Sequence, residues 1–275
     1  MSVTLEIGAV DRLTPEEVTS LLTGTLFRSD RYHHRVRVDS TSRVAMAMAR
    51  DGAPEGTVVV ADQQTQGRGR VDRSWYHHPD KNLAFSCILR PAIAPMQAAQ
   101  LTLLAGVALA ESVAALGVEG ATLKWPNDLL ISGRKAAGIL SEMILQGQQV
   151  MAVVIGVGVN VNTDLSDFPT ELRQTAISLS HAQSSGLVPL SRSRLLVSFL
   201  DYLTDWYRRL LAQGFEPVRQ RWLAMASLMG QPVRVMLDHG LITAVAVDLD
   251  RDGFLLINHP DRGLFRVVSG DLIAV

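Results

Sequence analysis

The chain has 275 residues, 47% of them hydrophobic and 19% charged, which fits one or two packed domains and excludes a disordered chain. Twenty-six basic residues face 27 acidic ones, so no global field draws the protein to nucleic acid or to an anionic membrane. One cysteine, Cys87, excludes an internal disulfide and any multi-cysteine zinc or iron–sulfur centre. The N-terminus lacks a basic stretch followed by an apolar one, and the longest apolar run, around residues 101–110, ends at Glu111. A cytoplasmic protein with no signal peptide and no membrane span is therefore expected.

Thr14-Pro15-Glu16-Glu17 reads as a helix start, with a hydroxyl N-cap, proline at N1 and acid in the first turn. The helix is expected to reach about Phe27, giving a lead-in segment over 1–30 that is too short for a winged-helix DNA-binding domain. From about His34, strands and helices mix. The Val- and Ile-rich stretches 35–39, 57–62, 84–89, 122–125, 136–144 and 150–161 read as strands. Residues 42–50, closed by Gly52, and residues 96–116 and 192–211 read as helices. Strands in adjacent runs point to an α+β fold, a mixed or antiparallel sheet with helices packed on one side, over 31–228. Beyond Met229-Gly230 the pattern changes to short strands at 233–237, 243–249, 254–258 and 265–268. The intervening turns are Asp238-His239-Gly240, 250–253 and 260–263. This spacing predicts a small antiparallel β-barrel over 229–275.

Five segments carry chemistry. In Gln64-Thr65-Gln66-Gly67-Arg68-Gly69-Arg70-Val71-Asp72-Arg73-Ser74-Trp75, two glycines allow close backbone approach and three arginines can meet phosphate bidentately. Anion binding is the favoured reading, with nucleic acid and a solvated loop as competitors. Lys124-Trp125-Pro126-Asn127-Asp128 sets a cation, an aromatic and a carboxylate on a stiff turn, or is a plain rigid turn. Gly133-Arg134-Lys135-Ala136-Ala137-Gly138-Ile139-Leu140 puts a lysine at the mouth of a strand backed by small residues. Gly156-Val157-Gly158-Val159-Asn160-Val161-Asn162 lacks the third glycine and the following helix of a dinucleotide fingerprint, so a strand with close backbone approach to a ligand is expected. Asp39-Ser40-Thr41-Ser42 opens a helix, with one hydroxyl expected to cap it and the others free for a ligand.

The chain has three lysines, Lys81, Lys124 and Lys135, among its 26 cations. Arginine replaces lysine wherever any cation serves, so the survivors mark places where a compact ammonium is needed; Lys81 is the one expected to be a solvated surface residue. His33-His34 and His77-His78 are adjacent pairs without metal spacing and are expected in loops or at the surface. Cys87 is expected to be a core thiol.

Together and in this order, the segments resemble the biotin protein ligase family: a Ser-Thr pair before a helix, Gly-Arg-Gly-Arg with a downstream Arg and Trp, Lys-Trp-Pro-Asn-Asp, Arg-Lys then Gly-Ile-Leu, and Gly-x-Gly-x-Asn. The resemblance runs from about residue 20 to the end. It implies a class II synthetase-like catalytic domain followed by an SH3-like barrel. It implies that biotin and ATP, with Mg²⁺ carried on the nucleotide and not held by a dedicated cluster of side chains, give biotinyl-5′-AMP. The biotin then passes to a lysine of a carboxylase's biotin carboxyl carrier domain. The resemblance assigns biotin contacts to Ser40, Thr41, Ser42, Gln64, Arg68, Gly69, Arg70, Lys135, Gly138, Ile139, Gly156 and Gly158. It assigns ATP or adenylate contacts to Arg70, Arg73, Trp75, Lys124, Asn127, Lys135 and Asn160. Arg70, Lys135 and Asp128 are the expected catalytic residues: Lys135 neutralises charge between the biotin carboxylate and the α-phosphate, and Asp128 orients or deprotonates the acceptor lysine. Two departures stand out. Ser42 replaces the family's usual asparagine, and no N-terminal DNA-binding domain is apparent, so a ligase without an operator-binding role is expected, as a monomer or a homodimer. A lipoate–protein ligase and a non-enzymatic biotin or nucleotide sensor are the alternatives.

Overall fold

A computed structural model describes residues 11–71, 73–183, 189–237 and 240–274. Its centre is a seven-stranded sheet built from β1 (Tyr32–Val38), β2 (Val58–Gln64), β3 (Leu83–Leu89), β4 (Ala121–Lys124), β5 (Asp128–Ile131), β6 (Arg134–Gln146) and β7 (Gln149–Val159), in the order β1-β2-β3-β7-β6-β5-β4. Only β1 and β2 pair in parallel. That connection needs a crossover, and helix α2 (Thr41–Arg50) supplies it.

The sheet has two differently covered faces. Val58, Val60, Phe85, Cys87, Val153 and Ile155 point to one side, where they join the main core. This side carries α3 (Ala98–Ala115), α4 (Arg192–Gln213) and α5 (Glu216–Ala224). The alternate residues Val59, Ile88, Ala152 and Val154 point to the other side and meet Ala45, Met46 and Ala49 of α2. One helix therefore lies opposite the other three, because the β1–β2 crossover takes the face the bundle leaves free. Helix α3 is apolar all round and, with its preceding turn, long enough to cross a bilayer, longer than the run read from the sequence; it is the buried core helix of this bundle.

The first helix, α1 (Pro15–Thr19), ends eight residues before the expected Phe27. The Thr19 and Ser20 hydroxyls turn back onto the carbonyls of Pro15 and Glu17, and Thr-Gly-Thr at 23–25 offers little helix propensity. Strand β5 and helix α5 are additions to the expected elements.

Residues beyond 228 form β8 (Pro232–Leu237), β9 (Gly240–Leu249), β10 (Leu255–His259), β11 (Gly263–Val267) and β12 (Leu272–Ala274), in the antiparallel order β11-β10-β9-β8-β12. This is the small antiparallel unit expected at the C-terminus, and no ladder joins β11 to β12 among the described residues. Of the expected turn at 238–240, Asp238 and His239 lie outside the described residues. The small sheet sits against α3: Gln100 donates to the Arg251 carbonyl at 2.9 Å and Trp125 Nε1 to the Gly253 carbonyl at 3.3 Å.

Candidate active site

The site lies on the α2 face of the sheet, beyond the helix's first turn. Along that face β7 reads Ala152, Val154, Gly156, Gly158 by strict alternation. The first two pack under α2, Gly156 faces Ser42 in the helix's first turn, and Gly158 lies against Trp75. Gly158 pairs with Gly138, and Gly156 with Leu140 on one side and Ser86 on the other. Removing side chains here makes a floor of bare backbone. Alanine at Gly156 would put its Cβ 2.4 Å from Ser42 Oγ, and alanine at Gly158 would put it 2.5 Å from the Trp75 indole.

The N-terminus of α2 forms one wall. Its first amides are taken by side chains other than the three hydroxyls: Asp39 Oδ1 accepts from Ser40 N at 2.6 Å, and Gln64 Oε1 from Thr41 N at 2.8 Å. Ser40 makes no side-chain cap, contrary to the expectation that one hydroxyl would do so. Thr41 Oγ1 and Ser42 Oγ instead both meet Ser86 Oγ, at 2.9 and 3.1 Å. All four side chains are buried.

The arginine segment folds over this floor as a narrow hairpin, with Trp75 N donating to Gly67 O at 2.9 Å and Gly69 N to Arg73 O at 2.6 Å. Gly67 has no room for a side chain, since a Cβ would fall 2.6 Å from the Trp75 carbonyl. Arg68 has its own partner, while Arg70 and Arg73 share one. Arg68 turns onto β6 and grips Glu142 bidentately at 2.9 and 2.8 Å. Arg70 Nη1 reaches the Gly270 carbonyl at 3.3 Å, Asp271 at 3.4 Å and Asn127 Oδ1 at 3.5 Å. Arg73 pairs with the same Asp271. Burial lowers the pKa of Arg70 from its ordinary value, while Asp271 and Asp128 oppose that shift. Asp72 lies outside the described residues.

Lys135 stands where hairpin and floor meet. Its ammonium lies 2.6 Å from Asp128 Oδ1, a close ion contact without hydrogen-bond alignment, and 5.6 Å from the centre of the Trp75 ring. Trp75 lies flat on Gly138 and Gly158 with its Nε1 buried and unpaired. It divides two spaces. A small polar cavity of about 110 Å³ sits between the α2 hydroxyls, Gln64 and the arginine hairpin. A larger one of about 680 Å³ continues past Trp75 between Phe168, Leu172, Thr175, Leu228 and Leu272, with Lys124 on its wall. Trp75, Asp128, Lys135 and Arg73 border both.

Every residue expected at the site borders one of the two cavities. Two are engaged in ways the sequence did not indicate. Arg68 is committed to Glu142. Asn160, expected against the adenylate, is 4% exposed and donates both amide protons to backbone, to Lys135 O at 3.4 Å and Ile177 O at 3.3 Å. Ile139 turns its side chain into the main core and offers backbone only. Ser86, Glu142 and Asp271 were missed. The lone hydroxyl in Leu-Ala-Phe-Ser-Cys-Ile-Leu is a signal for Ser86, whereas nothing local marks Asp271.

Elsewhere, Lys81 is ion-paired with Asp164 at 2.6 Å and Asp167 at 2.7 Å, which raises its pKa above the ordinary value, and is not simply solvated. His77 is buried against the Asp62 carbonyl, contrary to expectation, and burial pushes its pKa below 6.5. Cys87 is fully buried, its thiol pushed up to about 12.

The sequence matches the Biotin/lipoate A/B protein ligase family over residues 35–160 and the Biotin protein ligase C terminal domain over residues 228–272. It is 38% identical over 236 residues to the bifunctional ligase/repressor BirA of Bacillus subtilis, covering 86% of this chain and 71% of that protein. It is 33% identical over 231 residues to the biotin–[acetyl-CoA-carboxylase] ligase of Paracoccus denitrificans, covering 82% of this chain and 92% of that protein. Among solved structures, the biotin protein ligase of Aquifex aeolicus in complex with biotin and ATP superposes with a TM-score of 0.73 at 26% identity, over 88% of this chain and 97% of that one.

Proposed function

The chain belongs to the biotin protein ligase family and is a ligase, and from that premise we propose that it attaches biotin to a lysine of a carboxylase's carrier domain through biotinyl-5′-AMP. The observation that carries the residue roles is the placement of the Lys135–Asp128 pair and Trp75 between the two cavities. Biotin takes the small cavity, with its polar ring against Thr41, Ser42 and Gln64 and its carboxylate toward Lys135. The nucleotide takes the larger one, with its phosphates toward Arg70, Arg73 and Lys124. In the first step a carboxylate oxygen of biotin attacks the α-phosphorus and pyrophosphate leaves. Lys135 and Arg70 stabilise the charge that gathers between the two anions. In the second, the acceptor amine attacks the acyl carbon, AMP leaves, and the amine's extra proton is lost near Asp128. Neither step needs an enzyme nucleophile.

Among the described residues no three His, Cys, Asp or Glu side chains gather as a metal site. Mg²⁺ is taken to arrive on ATP, with Asn127 and Asp128 as the oxygen donors beside the proposed phosphate position. The test is biotin-dependent exchange of labelled pyrophosphate into ATP, followed by transfer of labelled biotin to a carrier domain, with lipoate in a parallel arm. Exchange and transfer with biotin alone are expected. Binding of both ligands without exchange would make the protein a sensor, and preference for lipoate would reassign the small cavity.

A further inference from the structure

Next to Lys135 lies a buried polar chain that none of the expected site residues except Asn160 belongs to, and Asn160 joins it to the larger cavity. Asn82 is its centre. It is fully buried, as is Thr163. Its Nδ2 donates to Asn160 Oδ1 at 3.3 Å, its Oδ1 accepts from Thr163 Oγ1, and its backbone carbonyl accepts from Arg192 Nη1 at 3.3 Å. Arg192 is itself buried and bound to Asp11. Asn82 directly precedes β3 and Asn160 directly follows β7, two strands paired from Leu83 to Val159. The amide contact thus bridges the ends of neighbouring strands, where the ladder stops.

The orientation of Asn160 gives this bridge its consequence. A primary amide has one acceptor oxygen and one donor nitrogen, and the neighbours decide which way round it sits. With Asn82 donating to its oxygen, Asn160 presents its nitrogen to two carbonyls, those of Lys135 and Ile177. These two residues belong to a crossing where Lys135 N donates to Thr175 O at 2.7 Å and Ile177 N to Lys135 O at 3.1 Å. The backbone of Lys135 is therefore pinned from three directions, and the direction set by Asn160 depends on Asn82. Thr175 and Ala176 of the same crossing line the larger cavity.

We propose that Asn82 is a positioning residue for Lys135: by fixing the amide of Asn160 it sets where the Lys135 ammonium stands relative to Asp128 and Trp75. The catalytic part of this statement rests on the ligase reading and on Lys135 as the group between the two anions; the geometric part does not. Thr163 serves by holding the Asn82 amide the right way round.

The test uses Asn82→Asp, which keeps size and shape but replaces the donor by an acceptor. Asn160 must then turn its amide, setting its oxygen against the two carbonyls. Thr163→Val removes the donor that orients Asn82, and Thr163→Ser retains it. Two readouts are independent of folding. The first is pyrophosphate exchange, normalised to the fraction of protein that binds biotin. A displacement of the reacting cation is expected to lower kcat by about tenfold or more in Asn82→Asp. Biotin affinity should change little, because the Thr41–Ser42–Ser86 wall lies on another part of the sheet. Thr163→Val should show a smaller loss and Thr163→Ser none. The second is trace acetylation mapped by mass spectrometry, which is clean because the chain has three lysines. The ratio of Lys135 to Lys81 labelling should rise about threefold when one net hydrogen bond's worth of restraint is lost.

Unchanged kcat and an unchanged labelling ratio in folded Asn82→Asp would overturn the proposal. So would a kcat loss that merely tracks the unfolded fraction. A wild-type protein without exchange would sink the ligase reading instead, and the labelling ratio alone would then decide whether Asn82 positions Lys135.

Discussion

Replacing Gly156 by alanine should weaken biotin binding while leaving the sheet paired. The new Cβ would lie 2.4 Å from Ser42 Oγ, with Leu140 O and Ser86 Oγ at 3.4 Å. The latter two distances are ordinary contacts, so the strain falls on one hydroxyl, which must retreat by roughly 1 Å to reach normal packing distance. Gly156 does not have a positive φ, so alanine costs nothing in backbone conformation and gains about 0.4–1 kcal/mol from a less flexible unfolded chain. Against this stand about 1–3 kcal/mol for overpacking and about 0.5–1.5 kcal/mol for the Ser42–Ser86 hydroxyl bond, 3.1 Å long in the wild type. The net is a destabilisation of about 0.5–4 kcal/mol, which a folded chain survives. Binding suffers separately, because the displaced hydroxyl is the one proposed to face biotin, and losing about 1.4 kcal/mol there raises Kd tenfold. Calorimetric titration with biotin and thermal unfolding of the same sample read the two effects apart. In a Ser42→Ala background the clash is gone, so adding Gly156→Ala should cost far less than it does alone. Wild-type biotin affinity in Gly156→Ala, or strict additivity in the double variant, would refute the account of this wall.

Lys135→Ala should retain biotin binding within a few-fold yet lose pyrophosphate exchange by about 10²–10³, as expected for removing a charge that acts mainly in the transition state. Arg70→Ala should behave similarly, and full exchange in either variant would remove it from its proposed role. Asp271→Ala should change unfolding by less than about 1 kcal/mol, because Arg73, its short-range partner, is largely exposed to solvent. Amide exchange of residues 67–75 should nevertheless speed up, since Asp271 is the carboxylate that holds both Arg70 and Arg73. His77 contributes a pH dependence of known sign. Its folded pKa lies below 6.5 because burial disfavours the charged ring, so below that pH the unfolded chain binds a proton that the native one resists, and stability falls as pH drops. Thermal midpoints between pH 5 and 7 should show a shallower slope in His77→Gln, and identical slopes would remove His77 as the source.

The strands were legible wherever Val and Ile cluster, and the motif order brought the site residues into one region. The failures have physical reasons. Strand β5 is four residues long and starts on Asp128, the last residue of the segment read as a turn-borne polar motif, so its Asp-Leu-Leu-Ile gave no separate signal. Capping was assigned to Ser40–Ser42 from local preference, but Gln64 is 23 residues away from Thr41, and sequence preference does not see such a competitor. The family resemblance assigned Asn160 to the adenylate; only the backbone carbonyls around it show that its amide donors are already taken. The glycines expected as close-approach positions are approached by side chains of the chain itself, Gly156 by Ser42 and Gly158 by Trp75, since no other residue leaves a strand bare on one side.

The contact between Arg70 and Asp271 joins residues 201 positions apart. A chain growing from its N-terminus can pair β1 to β7 and pack α3 and α4 long before Asp271 has been made. Until that carboxylate arrives, Arg73 lacks its counter-charge, and the hairpin over the glycine floor is held by Arg68 on Glu142, Arg70 on Asn127 and the packing of Trp75. The carboxylate shared by Arg70 and Arg73 thus waits for the end of the chain, whereas every glycine of the floor precedes it by more than a hundred residues.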